Sequence, residues 1–548
     1  MINLQFQLRG RTMFKKKPWI LSIISVLILS IFLSACSDDK KSDEKSDENG
    51  DDELKELVFG RGGDSTSLDP ATTTEGEAFK VTKNIFENLV DFGEQDTEIR
   101  EGLATKWDVS DDGLTYTFTL REGVKFHDGT DFNAEAVVFN FNRWKEGNSG
   151  KTGDDIPFPY YQSQFGDNIE EVKATGEYEV QFKLKRPQAP FLKNLAMSPF
   201  GIASPEAVKK YGEKFNENPV GTGPFKFVEW KRNDKIVIEK FEDYWNPEYP
   251  KLDRITFLSI PDNSARLNAL LTGEVDLIDG VNYSDVSQIE ANSDLQIFSR
   301  PSMNVAYVGL TSTRGPLQDK KVRQALNHAV DKQALIEAFY EGYAIPAKNP
   351  MPPVIAGYND AIEDYPFDLE KAKQLLAEAG YPDGFEIELW AMPVPRPYMP
   401  DGQKVAEAIK SNFEKIGVKA KIVTFEWGTY LEKVAAGEAD AFMLGWTGDN
   451  GDPDNFLYVL LDKDNIGTNN YSYYSNDELH EILIQAQSEP DENVRNELYK
   501  KAQEIIKEDA PWIPLVHSEP LLAGRADIIN FKPHPTGSDH LHMVDFKK

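Results

Sequence analysis

The sequence contains one cysteine among 548 residues, and this scarcity excludes several kinds of site. A single thiol cannot close a disulfide within the chain, and it cannot supply a four-cysteine zinc site or hold an iron–sulfur cluster. Bases are also scarce, with 60 Lys and Arg against 91 Asp and Glu and a formal net charge of −31. Because this charge repels phosphate backbones, we expect no nucleic-acid partner.

Common catalytic and metal-binding motifs are missing as well. The sequence has no Gly-x-Ser-x-Gly elbow of serine hydrolases and no His-Glu-x-x-His helix of zinc proteases. Gly150-Lys151-Thr152 is similar to the end of a phosphate-binding loop, but Lys145 occupies the position where that loop requires glycine. The acids Asp449, Asp452 and Asp454 do not have the spacing of an EF-hand. We therefore expect no enzyme, no metal and no cofactor.

The N-terminal 35 residues have the composition of a secretion signal. Five bases and no acid occur there, and the bases precede an apolar run from Trp19 to Leu33. This run is 15 residues long, whereas a helix needs about 20 to cross a bilayer. The pattern therefore favours a cleaved signal over a permanent membrane anchor. Translation could begin at Met1 or at Met13, since the basic residues follow both.

The end of this segment, Leu33-Ser34-Ala35-Cys36, resembles the lipobox of bacterial lipoproteins. The resemblance implies a signal peptide over 1–35 and a lipid on Cys36, which becomes the first mature residue. Residues 36–53 follow as a predicted disordered tether, because Ser37–Glu53 contains nine acids and three lysines. We expect a lipid-anchored protein on the extracytoplasmic face of the cell membrane of a Gram-positive bacterium. The alternative is an ordinary cleaved signal with an incidental cysteine.

Beyond the tether, strand-like and helix-like patterns alternate to the end of the chain. Leu114–Leu120 and Tyr178–Leu184 alternate apolar and polar residues, which is typical of half-buried strands. Asp368 is placed to cap a helix over Leu369–Ala379, and a second helix is predicted over Val405–Ile416. Ala441–Trp446 is almost entirely apolar and predicts a central strand. The sequence therefore predicts an α/β fold built from discontinuous domains.

Three stretches, in this order, resemble the large extracytoplasmic solute-binding proteins of ABC importers, specifically the peptide-binding family. They are Gly102–Gly129, Asn218-Pro219-Val220-Gly221-Thr222-Gly223-Pro224-Phe225 and Val322-Arg323-Gln324-Ala325-Leu326. The resemblance implies the periplasmic-binding-protein type II fold, with two lobes joined by a hinge. It also implies three discontinuous domains: domain I over 54–91, 218–305 and 515–548, domain II over 92–217, and domain III over 306–514.

Two further stretches are most similar to dipeptide-binding members of this family. They are Trp390-Ala391-Met392-Pro393-Val394-Pro395-Arg396-Pro397-Tyr398 and Gly445-Trp446-Thr447-Gly448-Asp449-Asn450-Gly451-Asp452-Pro453-Asp454-Asn455. In that subfamily, an arginine of the first stretch binds the α-carboxylate of the ligand and the first aspartate of the second binds its α-ammonium. The resemblance assigns these roles to Arg396 and Asp449.

The chemistry of these residues suits a dipeptide, whose two terminal charges lie about 7 Å apart in an extended backbone. Guanidinium makes a two-pronged contact with a carboxylate, and a carboxylate accepts the hydrogen bonds of an ammonium. The strand ending at Trp446, Thr447 and Gly448 can pair with the peptide backbone, with glycine leaving room for close approach. Further candidate contacts come from Tyr398 beside Trp446, and from an opposite wall formed by Gly62, Gly63, Asp64 and Ser65.

The sequence therefore predicts a monomeric, lipid-anchored substrate-binding protein that captures dipeptides and delivers them to ABC transporter permease subunits. Alternatives within the family are binders of longer oligopeptides, nickel chelates, haem or glutathione, because such proteins share the fold and differ in the clamps. An alternative from another class is a secreted hydrolase that uses Asp449 with Asp452 or Asp454 as a carboxylate pair.

Overall fold

Helices and strands alternate along the part of the chain that the computed structural model describes, residues 54–147 and 158–547. The predicted signal peptide, Cys36, the acidic tether and Gly150-Lys151-Thr152 lie outside these residues. Those predictions therefore stay predictions.

The described residues form strands throughout their length, mostly five to seven residues long. The strands are β1 (Glu56–Arg61), β2 (Val90–Phe92), β3 (Ile99–Glu101), β4 (Ala104–Val109), β5 (Thr115–Leu120), β6 (Ile169–Gly176), β7 (Glu179–Leu184), β8 (Phe225–Lys231), β9 (Lys235–Lys240), β10 (Arg254–Ser259), β11 (Leu277–Ile278), β12 (Leu295–Ser299), β13 (Asn304–Leu310), β14 (Ala344–Pro346), β15 (Glu386–Trp390), β16 (Lys419–Val423), β17 (Ala441–Thr447), β18 (Trp512–Ser518), β19 (Leu521–Arg525), β20 (Ile528–Ile529) and β21 (Asp545–Phe546).

Helices alternate with the strands, most densely in the C-terminal half. They are α1 (Gly76–Thr82), α2 (Ala134–Glu146), α3 (Pro159–Gln164), α4 (Phe191–Leu195), α5 (Pro205–Tyr211), α6 (Asn263–Thr272), α7 (Val286–Glu290), α8 (Lys320–Ala329), α9 (Lys332–Phe339), α10 (Leu369–Glu378), α11 (Gly402–Glu414), α12 (Trp427–Ala435), α13 (Pro453–Leu461), α14 (Asp477–Ser488) and α15 (Glu492–Asp509). Short 3-10 helices lie at Pro70–Thr72, Ser198–Phe200, Gly212–Glu217, Tyr283–Asp285, Gly315–Gln318 and Lys463–Asn465.

The first large sheet has seven strands in the order β12-β19-β11-β1-β10-β9-β8. Its strands come from three separated parts of the chain. β1 lies between β10 and β11 and runs parallel to both. Strands covered on two faces are apolar, and Leu57 and Phe59 of β1 are accordingly buried. The sheet thus joins the N-terminal and C-terminal parts of the chain in one core.

A separate antiparallel sheet has the order β4-β5-β7-β6. Tyr116, Phe118 and Leu120 of β5 are buried while the threonines between them are not, so the predicted alternation is confirmed. Helix α2 covers this sheet, and its Phe141 packs edge-on against Phe182 of β7 at 4.7 Å between ring centroids.

The third sheet has the order β14-β18-β13-β17-β15-β16, which places β17 inside it as predicted. β13 pairs with β17 along its whole length, from Asn304 opposite Thr447 to Leu310 opposite Ala441. β15 pairs with β17 at two positions, Leu389 with Ala441 and Trp390 with Phe442. Among the described strands, none continues this pairing beyond Phe442. Residues 443–447, which we call the open edge, therefore have a strand neighbour on one side. On the other side, the N–H and C=O of Met443 bond to the Tyr430 hydroxyl, at 3.2 and 2.8 Å.

Side-chain caps fix the ends of the helices that flank this sheet. Asp368 accepts hydrogen bonds from the backbone N–H groups of Glu370 and Lys371, so the predicted cap of α10 is confirmed. Helix α11 begins three residues earlier than predicted, because Asp401 caps it by accepting from the N–H of Lys404. Among the helices of 54–147 and 158–547, none is both long and apolar enough to cross a membrane.

The predicted division into three domains stays a prediction, as do its boundaries. Residues 54–547 form one compact unit by their contacts. β18 also extends across the predicted boundary between 514 and 515 while pairing with β13.

Candidate functional site

Asp449 lies two residues beyond the end of β17, and its carboxylate has no cationic partner among the described residues. It accepts hydrogen bonds from the Tyr160 hydroxyl at 3.3 Å and from Asn455 Nδ2 at 3.2 Å. Burial raises the pKa of this carboxyl to about 6, against an ordinary value of 3.8, and the two hydrogen bonds oppose the shift. A half-buried carboxylate whose partners are neutral favours the binding of a cation, because an unpaired charge held away from water is unfavourable in free energy.

The side-chain amide of Asn455 holds this end of the site together. Besides donating to the Asp449 carboxylate, its Oδ1 accepts from Trp446 Nε1 at 2.9 Å and from the backbone N–H of Asp449 at 3.0 Å. Asn455 is 1% exposed, so these bonds lie largely away from competing water. They fix the orientation of both Trp446 and Asp449.

Residues from the predicted domain II close over the loop at 449–451. Tyr160 on α3 contacts Asp449, Lys193 Nζ donates to the carbonyl of Gly451 at 3.0 Å, and Asn450 Nδ2 donates to Asn194 Oδ1 at 2.8 Å. These contacts join segments that are more than 250 positions apart in sequence. The loop is therefore held from two parts of the fold.

Arg396 lies in a turn whose backbone is well anchored. Its N–H and C=O exchange hydrogen bonds with Met399, at 3.0 and 2.9 Å. The carbonyl of Tyr398 accepts from the Tyr340 hydroxyl at 2.8 Å, and that of Pro397 accepts from Ser518 Oγ at 2.9 Å. The position of this turn is therefore set by Ser518 of β18 and by Tyr340, the residue that follows α9.

The Arg396 side chain, in contrast, is exposed and lies 5.3 Å from the ring centroid of Trp427. No carboxylate lies within ion-pair distance of it in the described part of the chain. Burial raises the pKa of the Tyr398 phenol, and the adjacent Arg396 guanidinium opposes that shift. The Tyr398 ring covers Gly445, where an added Cβ would lie 2.2 Å from it. The residue two positions after Arg396, Tyr398, thus lies against the middle of the open edge, and Asp449 lies two residues past the end of that edge.

Trp446 and Thr447 belong to the open edge and are half-buried. Gly448 follows them and stays a predicted ligand contact, and packing of the core also requires glycine there. An added Cβ would lie 2.8 Å from the Phe456 ring and 3.2 Å from Met303 Cγ, so the missing side chain makes room for the core. The N–H of Gly448 already donates to the carbonyl of Met303 at 2.8 Å.

The residues predicted for the opposite wall follow β1. The Asp64 carboxylate accepts from Trp230 Nε1 at 3.0 and 3.1 Å and from the N–H of Asn233 at 2.8 Å. Ser65 is buried, and its hydroxyl lies 3.1 Å from Arg61 Nη1. Gly62 and Gly63 are half-buried, and a Cβ added at either would lie at van der Waals distance from Glu77, 3.6 and 3.7 Å away. These four residues stay predicted contacts, and the two glycines retain backbone groups that a ligand could use.

The other two acids of the 449–454 segment have structural partners. Asp452 caps α13 and makes a two-pronged ion pair with Arg495, at 2.6 and 2.8 Å. Asp454 accepts from Gln487 Nε2 at 2.9 and 3.2 Å. Burial and the Asp452 charge raise the pKa of Asp454 to about 7. Asp452 therefore stabilises the fold, and its carboxylate is already occupied instead of forming a catalytic pair with Asp449.

Two cavities in the described part of the chain lie away from the predicted clamps. One, of about 560 Å³, is lined chiefly by the β2–β3 hairpin with Lys532, His540 and His542. The other, of about 20 Å³, lies beside α15. Neither is lined by Arg396 or Asp449, so the case for the site comes from its unpaired charges and open edge.

Comparison with known proteins identifies the family. Residues 98–468 match the family described as bacterial extracellular solute-binding proteins, family 5 middle. The chain belongs to this family. It is 39% identical to a dipeptide-binding protein of Escherichia coli strain K12, over 90% of this chain and 95% of that protein. It is 40% identical to heme-binding protein A of Haemophilus influenzae, over 87% and 89% of the two chains.

A solved structure of a family relative confirms the predicted fold. This relative is the ABC transporter-associated periplasmic binding protein DppA of Helicobacter pylori in complex with the peptide STSA. It superposes with a TM-score of 0.81 at 36% identity, covering 90% of this chain and 98% of that one. The solute-binding protein therefore has the two-lobed type II fold. The alternative of a secreted hydrolase loses its basis, because the chain belongs to a family of binding proteins.

The sequence did not indicate every residue that shapes the site. Tyr160, Lys193 and Asn194 carry no local motif, and the contacts with 449–451 bring them into the site. Asn455 stands at the end of a quoted family stretch, but its three hydrogen bonds depend on the turn between β17 and α13.

Proposed function

We propose that this solute-binding protein captures dipeptides outside the cell and delivers them to the permease of an ABC importer. The two termini of the ligand are bound by Asp449 and Arg396, and its backbone pairs with the end of the open edge, at Trp446 and Thr447. Closure of the two lobes around the ligand then produces the form that docks on the permease.

The observation that carries this proposal is that the Asp449 carboxylate has no cationic partner among the described residues and lies beside a strand edge with no strand neighbour on one side. A peptide ammonium supplies the missing cation, and the peptide backbone supplies the missing strand neighbour. Arg396 is a second charge without a carboxylate partner in the described residues. The similarity to dipeptide-binding proteins supports the same conclusion.

Titration calorimetry with the soluble chain from residue 54 tests the clamps. The loss of one partner of a buried charge pair typically costs about 2–5 kcal/mol. We therefore expect Asp449→Asn and Arg396→Ala each to weaken dipeptide binding. For Asp449→Asn the affinity should fall by about two orders of magnitude or more relative to the wild type. The matched controls are Asp477→Asn and Arg186→Ala, which change exposed residues paired elsewhere. Unchanged affinity in both clamp variants would reject the assignment.

Haem is a second candidate ligand, because a relative of similar identity is a heme-binding protein. The charge arrangement favours a peptide, since haem offers two carboxylates but no ammonium for Asp449. Adding haem to the same protein and following its absorption spectrum distinguishes the two. Saturable haem binding that displaces dipeptide would mean that haem, and not a dipeptide, is the ligand. Peptide recovered intact after incubation separates binding from hydrolysis.

We also propose that the mature protein is anchored by a lipid on Cys36. The support is the lipobox-like sequence, followed by an acidic segment suited to a tether. Expression of the full chain in a bacterium should place the protein in the detergent phase on partitioning, and Cys36→Ala should move it to the aqueous phase. Persistence of the variant in the detergent phase would indicate another anchor.

A further inference from the structure

A histidine and two aspartates come together beyond the C-terminal end of α13. His480 Nδ1 lies 3.0 and 3.1 Å from the two carboxylate oxygens of Asp462, and 3.9 Å from Asp464 Oδ2. One nitrogen or oxygen atom from each of the three side chains lies within 4.8 Å of the other two. Among residues 54–147 and 158–547, no other group of His, Cys, Asp and Glu side chains offers such a set of three.

This cluster is separate from the proposed peptide site. Asp449 precedes α13 and Asp462 follows it, and a helix of nine residues is about 14 Å long. His480 lies in the first turn of α14. The cluster therefore joins the end of α13 to the start of α14, and an inference drawn from it does not depend on the proposed function.

The two carboxylates lack a lysine or arginine partner in the described part of the chain. Lys463 lies between them in sequence, but its ammonium pairs with Asp477. Asp462 is 1% exposed, and burial raises the pKa of its carboxyl, while hydrogen bonds from the Asp464 N–H and from His480 oppose that shift. Because His480 carries at most one positive charge, the cluster has a net negative charge that a divalent cation would neutralise.

We propose that Asp462, Asp464 and His480 bind a divalent transition-metal ion of the Zn²⁺ class. Zn²⁺ binds imidazole nitrogen and carboxylate oxygen at about 2.0–2.2 Å, so its tetrahedral geometry sets ligand atoms about 3.3–3.6 Å apart. The separations of 3.0 and 3.9 Å at His480 lie on either side of this range, so small side-chain rotations suffice. The imidazole disfavours Ca²⁺ and Mg²⁺, which prefer oxygen ligands. The bound ion holds the end of α13 against α14.

Zinc titration of the chain from residue 54, in competition with a chromophoric chelator, tests this site. This form of the protein lacks Cys36, the single cysteine of the sequence, so no thiol competes for the ion. We expect one Zn²⁺ to bind per chain, and His480→Gln and Asp464→Asn each to weaken its binding by about tenfold or more. Ca²⁺ should bind more weakly than Zn²⁺ by a similar factor of about ten or more.

Two matched controls separate the cluster from other sources of zinc binding. Glu478→Gln removes an exposed acid from the same turn of α14, where Glu478 pairs with Lys501, and so changes the net charge equally. His540→Gln removes a histidine that lies beside Asp91, near His534 and His542. Both controls should keep the wild-type affinity for Zn²⁺.

Thermal unfolding gives a second measurement on the same proteins. Zn²⁺ should raise the unfolding temperature of the wild type and of both controls, because it binds the folded chain, and should have little effect on His480→Gln and Asp464→Asn. The side chains of His480 and Asp464 are 23% and 51% exposed, so these substitutions should leave the fold intact, which circular dichroism checks.

Each contrary result overturns the proposal. The site is wrong if the wild type shows no saturable Zn²⁺ binding, or if both cluster variants bind as tightly as the wild type. Equal weakening by Glu478→Gln would indicate general attraction by negative charge, and loss of binding in His540→Gln alone would place the ion at the C-terminal histidines. Ca²⁺ binding as tight as that of Zn²⁺ would contradict the assigned class of ion.

Discussion

Dipeptide affinity should fall as the pH is lowered through about 6, and this dependence should originate in Asp449. Burial raises the pKa of this carboxyl to about 6 in the unliganded protein. An ammonium binds to the ionised carboxylate, and bound ammonium in turn favours the ionised form. The pKa of Asp449 is therefore lower in the complex than in the free protein, so protons and ligand compete.

The magnitude follows from this competition. At pH 5, one unit below the pKa, about one free protein in ten has an ionised Asp449, so the affinity is about tenfold weaker than on its plateau near pH 7. Each further unit by which the pH falls lowers the affinity by another factor of about ten, or about 1.36 kcal/mol of binding free energy, until the lower pKa of the complex is reached. The ligand does not contribute in this window, since its amino group ionises near 8 and its carboxyl near 3.5.

Calorimetry between pH 4.5 and 7 provides the measurement, with alanyl-leucine as ligand. Asp449→Asn should bind weakly with no such dependence. Asp454 also titrates in this range, because burial and Asp452 raise its pKa to about 7. Asp454→Asn is therefore the matched control, and it should retain the slope below pH 6. A wild-type affinity that is constant from pH 7 to 5, or an equal slope in Asp449→Asn, would refute the reasoning.

Two further predictions concern the loop that follows Asp449. Gly451→Ala should weaken dipeptide binding at least tenfold, because the new methyl group collides with Thr97. Gly273→Ala is its control, since Gly273 has a similar positive φ but open space around it, and it should cost only backbone strain of about 1 kcal/mol in thermal unfolding. Arg495→Met should destabilise the fold by about 3–5 kcal/mol in chemical unfolding, because it leaves the buried Asp452 charge uncompensated. Adding Asp452→Asn should recover part of that loss, and no recovery would contradict the assignment.

Local patterns predicted the secondary structure well where one face of an element meets the core. The alternation in β5 and β7, the apolar run of β17 and the Asp368 cap of α10 are each set by neighbours within a few residues. Helix α11 shows the limit of such patterns. Its apolar spacing begins at Val405, but Asp401 extends the helix by a further turn.

The site could be predicted only in part, because its parts lie far apart in the chain. The family stretches identified Arg396 and Asp449, but the exposure of one and the enclosure of the other arise from tertiary contacts. Tyr160 lies 289 positions before Asp449, so no local pattern joins them. Gly448 stays a predicted ligand contact, and the structure adds a reason for glycine that the sequence did not indicate, since an added Cβ would collide with Phe456.

Three acids within six residues show why the fold is needed to decide which one receives a ligand. Asp452 is neutralised by Arg495, which lies 43 positions away. Asp454 has a pKa of about 7 and a hydrogen-bonding partner in Gln487, so near neutral pH it is protonated in a large share of molecules. Asp449, with a pKa of about 6, is mostly ionised at neutral pH, yet it has no cation beside it in the described chain. A ligand ammonium therefore gains the most binding free energy from Asp449, the acid that is ionised and has no cationic partner. Composition alone cannot distinguish this acid from its two neighbours.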